Sequence, residues 1–233
     1  MARDAEENLR EITRIAVENG AQLVGVADLR NLKGIYIFPP DLLSGFRFGI
    51  SIGVGLDNHG TYDDSAEDKY AFPLLNNIAE KICDHAHRLG HKARRIAADE
   101  RVEEHPPLRW KGEISHKAVA KAAGLGWIGR SMLLVTPDMG PRVCLTTVVT
   151  DMLLVPGEPR KNNCGSCSAC ISACPIGALK KRNFEDHPEL LEEVLDVDGC
   201  DTRVEARPRG TVLCYECMLA CPVGKGHQER KRV

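Results

Sequence analysis

The run CGSCSACISACP at residues 164–175 constrains the fold of this chain more than any other feature. It fits the pattern CxxCxxCxxxCP. Three thiolates two residues apart can wrap a tight loop around three irons of one cubane, while the fourth, stiffened by Pro175, turns away toward a second cluster. A second run, TVLCYECMLACP at residues 211–222, repeats the end of that pattern but carries Thr211 where its opening thiolate would stand. Cys164, Cys167 and Cys170 are therefore expected to share one [4Fe-4S] cluster with Cys221. Cys174, Cys214 and Cys217 should hold the other, and its remaining iron needs a ligand that Thr211 cannot give. Cys200 in DVDGC is the unassigned cysteine nearby, and the loop that follows it is long enough to bring it back. Paired CxxC motifs also bind zinc, but the triplet closed by Cys-Pro is the pattern of iron–sulfur clusters.

The chain has 233 residues, of which 43% are apolar, enough for one large or two unequal domains with a real core. Thirty-one Lys and Arg against thirty-three Asp and Glu leave a net charge of −2, so no global attraction to nucleic acid or anionic membrane is expected. The first twenty residues lack a signal-peptide core and a twin-arginine pair, and no run of eighteen apolar residues occurs. A cytoplasmic protein with no membrane role is the expectation. In that reducing setting ten cysteines are not a disulfide framework, and eight of them lie between residues 164 and 221. The other two, Cys83 and Cys144, fall in helical and strand patterns and read as small buried hydrophobes.

Before the cysteines the chain alternates helix and strand signals without a strict βαβ rhythm, which predicts an α+β domain. Residues 5–19 repeat apolar positions at helical spacing, and AQLVGVADL and FGISIGVGL (48–56) read as buried strands. A helix is expected from Ser65 to Leu89, interrupted by Pro73, with a strand return in HKARRIAAD. SHKAVAKAA begins a helix capped by Ser115. MLLVTP and RVCLTTVVT should form a hairpin across PDMGP. Composition changes at VPGEPRKNN, which places a boundary between domains 1–155 and 156–233.

GLGWIG at residues 124–129 satisfies the dinucleotide fingerprint GxGxxG, but a helix precedes it and a strand signal follows, the reverse of what a pyrophosphate site needs. The glycines serve either a tight helix-to-strand turn or the approach of a large flat group with Trp127 as a wall. His85, His87 and His91 read as partly exposed helix residues rather than metal ligands. KKR (180–182), RVEARPR and the tail GHQERKRV are solvated surface, or else a docking patch for an acidic redox partner or RNA.

The segment KAVAKAAGLGWIGRSMLLVTPDMGPRVCLTTVVTD followed by the cysteine array resembles epoxyqueuosine reductases and, more distantly, reductive dehalogenases. NGAQLVGVADL resembles the early helix-to-strand segment of the same family. The resemblance implies a nitroreductase-like domain holding a cobalamin beside a bacterial ferredoxin-like domain whose two [4Fe-4S] clusters feed electrons to cobalt. It further implies that Gly126, Trp127, Ile128, Gly129 and Arg130 lie near the corrinoid. Family members that act on tRNA carry a proton-donating aspartate where this chain has Trp110, so Glu113, His116 and Tyr70 become the candidate general acids. The chain also ends eleven residues after Pro222, short of the helical-repeat extension of larger members, and lacks the export signal of respiratory dehalogenases. The expected activity is thus a reductase passing electrons from a ferredoxin- or flavodoxin-type donor to a small molecule or modified nucleoside, with tRNA less favoured. Two rival readings are an electron-transfer module serving a partner enzyme, and a nitroreductase-like reductase that binds FMN instead of cobalamin.

Overall fold

The computed structural model describes residues 2–32, 34–56, 70–99, 112–184, 188, 191–200 and 214–225. The expected positions at Trp110 and Thr211, the residues Ser65 to Lys69, and the basic runs at 203–209 and 226–233 lie outside them.

An opening helix α1 (Ala2–Glu18) is followed by strand β1 (Leu23–Asp28), strand β2 (Phe48–Gly55), helix α2 (Phe72–Arg88), strand β3 (Ala93–Ile96) and helix α3 (His116–Ala122). Two short strands, β4 (Trp127–Ile128) and β5 (Leu134–Val135), precede the long strand β6 (Val143–Thr150). Two one-turn helices, α4 (Ala169–Ala173) and α5 (Glu216–Ala220), carry the cysteine motifs. Helices and strands mix as the sequence predicts, without regular βαβ repeats.

The main sheet has the order β1-β2-β6-β3. β1 runs antiparallel to β2 with Gly25 opposite Ser51, and β3 antiparallel to β6 with Ala93 opposite Thr150. All eight residues of β2 are buried, which is why FGISIGVG reads as a near-continuous apolar run instead of an alternating one. Ile12 and Ala16 of α1 are fully buried on the spacing the sequence shows, and α1 packs on α2 and β1. Helix α3 lies on β1, and close approach is the reason for glycine there. A Cβ on Gly25 would come 2.9 Å from the Leu125 side chain, and one on Gly49 would come 2.9 Å from Val119. Ala27, Leu29, Ile96, Ile114, Val119 and Val149 close the core on this side.

Three local expectations need correction. Pro73 does not interrupt a helix; it lies in the first turn of α2, where its missing N–H costs nothing. Ser115 has the extended backbone of an N-cap, yet its side chain makes no capping bond. MLLVTP and RVCLTTVVT do not form a hairpin. β5 pairs with β4, Trp127 opposite Val135, while β6 joins the main sheet beside β3. The chain turns between them because Thr136 and Gly140 bond each other through both N–H groups, closing the PDMG stretch on itself.

The chain divides into two compact units: Met1–Val54, Asp68–Leu125 and Cys144–Pro159 form the first, and Gly55–Glu67, Gly126–Val143 and Arg160–Val233 the second. The last break lies near the composition change at 155/156. The division is nevertheless not a single cut, because the β4–β5 segment groups with the cysteines. Among the described residues no helix is long and apolar enough to cross a membrane.

Candidate metal centre

In the second unit the two cysteine motifs fold alike because their sequences punctuate the backbone alike. Cys170 lies in α4 and Cys217 in α5, and each helix ends at the cysteine that precedes proline. A residue before proline is pushed out of the helical region. Cys174 (φ −68°, ψ 113°) and Cys221 (φ −63°, ψ 123°) both take that extended conformation. Each donates its N–H back into the last helical turn, Cys174 to Ile171 and Cys221 to Met218. Helices α4 and α5 pack against each other, so the two loops face one another as a pair.

The electrostatics show which thiols share a neighbourhood. Burial pushes the Cys170 thiol up, and the charges of Cys164, Cys221 and Cys167 push it further. Burial likewise raises Cys217 to about 12, helped by the charges of Cys214, Cys170, Cys200 and Cys174. Cys221 is raised by burial, eased by the Val223 N–H and the Arg142 charge, and raised again by Cys164 and Cys167. Cys174 differs: burial raises it, but the backbone N–H groups of Ile176, Leu179, Ala178 and Gly177 together outweigh burial and hold the thiol low. Two overlapping groups emerge, Cys164, Cys167, Cys170 and Cys221 on one side and Cys174, Cys200, Cys214 and Cys217 on the other. Among the described residues no three ligating side chains close on one point as a single metal ion requires. Four thiolates that each bind a different iron of a cubane are spread around the cluster instead of meeting at one ion.

Cys200 reaches this neighbourhood by backbone pairing. Lys180 N–H donates to Val194 O, Asp196 N–H to Ala178 O, and Leu179 bridges Leu195, so residues 194–196 run along the chain just after the first motif. Asp196 then accepts from the Gly199 N–H at 3.0 Å and its carbonyl from the Cys200 N–H, turning the chain so that Cys200 joins the second group.

The GLGWIG segment braces the first loop. Trp127 is buried and its indole N–H donates to Cys164 Sγ at 3.4 Å. Asn162 donates to Ile128 O at 3.0 Å and accepts from the Cys164 N–H at 2.9 Å. Arg130 donates to Gly165 O and to Asn183 Oδ1, both at 2.6 Å. A Cβ on Gly126 would stand 2.3 Å from Val135 O, and one on Gly129 2.6 Å from the Val135 side chain. Of the five residues that the resemblance assigns to a corrinoid face, Trp127, Ile128 and Arg130 thus also bond to the protein, and Gly126 and Gly129 pack closely on Val135. Asn162 and Arg142 were missed in the sequence. Asn162, two residues before Cys164, carries the signal of an Asx turn; a buried arginine carries none.

In the first unit the three candidate acids have different settings. Glu113 is buried and forms an ion pair with Arg94. His116 has both ring nitrogens engaged, Nδ1 with Thr147 Oγ1 at 2.9 Å and Nε2 with Ala97 O at 3.0 Å, so in the neutral ring Nε2–H donates to the carbonyl. Tyr70 is 52% exposed. Lys117 was not singled out by its sequence context; burial pushes its ammonium below the ordinary lysine range, although the side chain keeps some exposure. His87 Nε2 meets Ala93 O and His91 faces Asp151, with Gly90 ending the helix between them, so these histidines do not converge. Cys83 and Cys144 are buried as the sequence predicts, and burial raises the Cys83 thiol to about 12.

No family model matches the chain. Among curated proteins it is 34% identical over 149 residues to an epoxyqueuosine reductase of Listeria monocytogenes, covering 54% of this chain and 35% of that protein. The chain thus spans about a third of the length of the curated relatives it matches. In fold it resembles an epoxyqueuosine reductase solved with an epoxyqueuosine-modified tRNA-Tyr stem loop, with a TM-score of 0.66 at 20% identity over 95% of this chain and 66% of that one. A reductive dehalogenase whose structure suggests a mechanism for B12-dependent dehalogenation gives a TM-score of 0.69 at 20% identity, over 95% of this chain and 33% of that one. Epoxyqueuosine reductases are therefore its relatives in sequence, and both groups share its fold.

Proposed function

We propose, from the premise that this chain is a relative of the epoxyqueuosine reductases, that it is an iron–sulfur reductase of their class, holding two [4Fe-4S] clusters and acting on a modified nucleoside or a small molecule. The observation that carries the reading is the pairing of thiols across the motifs. Cys170 feels Cys164, Cys221 and Cys167, while Cys217 feels Cys214, Cys200 and Cys174 and, across the boundary between the groups, Cys170. Each group has four thiols, the full complement of one cubane, and each borrows its Cys-Pro cysteine from the other motif.

When bound, the clusters supply one-electron transfer at low potential. The chain's own residues hold them. The cysteines before Pro175 and Pro222 project out of short helices, Asn162 fixes the Cys164 backbone, and the Trp127 N–H supports the Cys164 sulfur. Glu113 is paired with Arg94, and His116 is engaged on both nitrogens. We assign the chain to the cytoplasm and its electrons to a ferredoxin- or flavodoxin-type donor on the same premise.

The acceptor is proposed to be a corrinoid, by kinship with B12-dependent relatives. A second reading has its own observation: Trp127 and Arg130 bond to the first cysteine loop, which suits a module that hands electrons to a partner protein. Anaerobically purified protein, examined by absorption with and without added cobalamin, separates the two. Retention of cobalamin through gel filtration, with its spectrum changed by dithionite, supports the reductase; clusters without retained corrinoid favour the module.

A further inference from the structure

Among the described residues Arg142 leads the fully buried side chains in size, at 1% exposure, and it belongs to neither cysteine motif. A guanidinium withdrawn from water is costly unless it is hydrogen-bonded and faces negative charge. Its hydrogen bonds are clear. One terminal nitrogen donates to Cys221 O at 3.3 Å and the other to Val223 O at 2.5 Å, gripping the turn that follows the second motif. The chain makes room for that grip with glycine on both sides. A Cβ on Gly140 would come 2.1 Å from Val223 O, and one on Gly224 would come 2.4 Å from the Met139 carbonyl carbon.

Carbonyls do not neutralise a cation. The Arg142 charge acts on the Cys221 thiolate, together with the Val223 N–H. A positive charge held in a low-dielectric interior favours the more negative, reduced form of an adjacent cluster, and hydrogen bonds to its sulfurs act in the same direction. The Trp127 N–H on Cys164 adds such a bond to the same group of thiols.

We propose that Arg142 is a positioning residue that holds the Cys221–Gly224 turn and raises the reduction potential of the cluster of Cys164, Cys167, Cys170 and Cys221. The proposal rests on the two-cluster reading, and the two fail differently: wild-type protein without iron and sulfide refutes the clusters before any variant is made.

The test is an EPR-monitored redox titration of the full chain as wild type, Arg142→Gln and Arg142→Lys, with iron and sulfide counted in each. Glutamine keeps a donor for the carbonyls but removes the charge; lysine keeps the charge. In Arg142→Gln one midpoint should move to more negative potential while the other stays, and the moving signal should be the one that survives in Cys200→Ser. Arg142→Lys should keep both midpoints near their wild-type positions. If Arg142→Gln instead loses about half its iron, Arg142→Lys decides. Full iron with lysine supports a role for the charge, and loss in both variants overturns it. Full iron in Arg142→Gln with both midpoints unmoved, or moved together, also overturns the proposal.

Discussion

At the scale of single residues, what can be read in a sequence is chemistry whose partners lie close along the chain. The two cysteine motifs are legible because CxxC spacing is itself the pattern of a cluster loop. Arg142 is not, because its partners Cys221 and Val223 lie about eighty positions away and only the fold joins them. Asp28, in the first unit, has its partner only two positions away. Its hydrogen bonds with the Arg30 side chain hold its carboxyl down to about 2, against an unfolded value of about 3.9. A depressed carboxylate contributes stability above its unfolded pKa and loses it as pH falls toward its folded one. Asp28→Asn should therefore unfold more easily than wild type above about pH 4, with the gap narrowing toward pH 2, followed by urea titration with circular dichroism. A gap that widens on acidification would contradict this. Trp127→Phe removes the N–H donor on Cys164 while keeping the ring, and should shift one cluster midpoint to more negative potential without loss of iron.

At the scale of elements, the strands and helices of the first unit follow their apolar patterns closely. β2 and α1 lie where period and punctuation put them, since burial of those residues is what makes the patterns. The error concerned pairing. MLLVTP and RVCLTTVVT have the composition of a hairpin, but Trp127 and Ile128 reach β5 first and the Thr136–Gly140 closure sends β6 to the main sheet. Pairing partners are chosen by tertiary packing, which strand composition does not encode. The β4–β5 contact is also the tightest around the first cysteine loop. Gly126→Ala forces a methyl group against Val135 O and should cost about 1–3 kcal/mol, read as a lower urea midpoint with unchanged slope. A neutral Gly126→Ala would mean the hairpin yields more easily than its geometry implies.

At the scale of the molecule, the composition change near residue 155 hints at a second unit, but not that 126–143 groups with the cysteines. Trp127, Arg130 and Arg142 tie that stretch to the motifs through contacts invisible in the sequence. The GLGWIG segment, which resembles a cofactor fingerprint, thereby also braces the first cysteine loop. The account as a whole depends on two groups of four thiols, completed by Cys200 in place of Thr211. Iron and acid-labile sulfide, counted in anaerobically purified wild type and in Cys200→Ser, test that most directly. About eight irons and eight sulfides per chain in the wild type, with about half of the iron lost or labile in Cys200→Ser, is the predicted result. Zinc without sulfide in the wild type, or a full and stable complement of iron in Cys200→Ser, would contradict it.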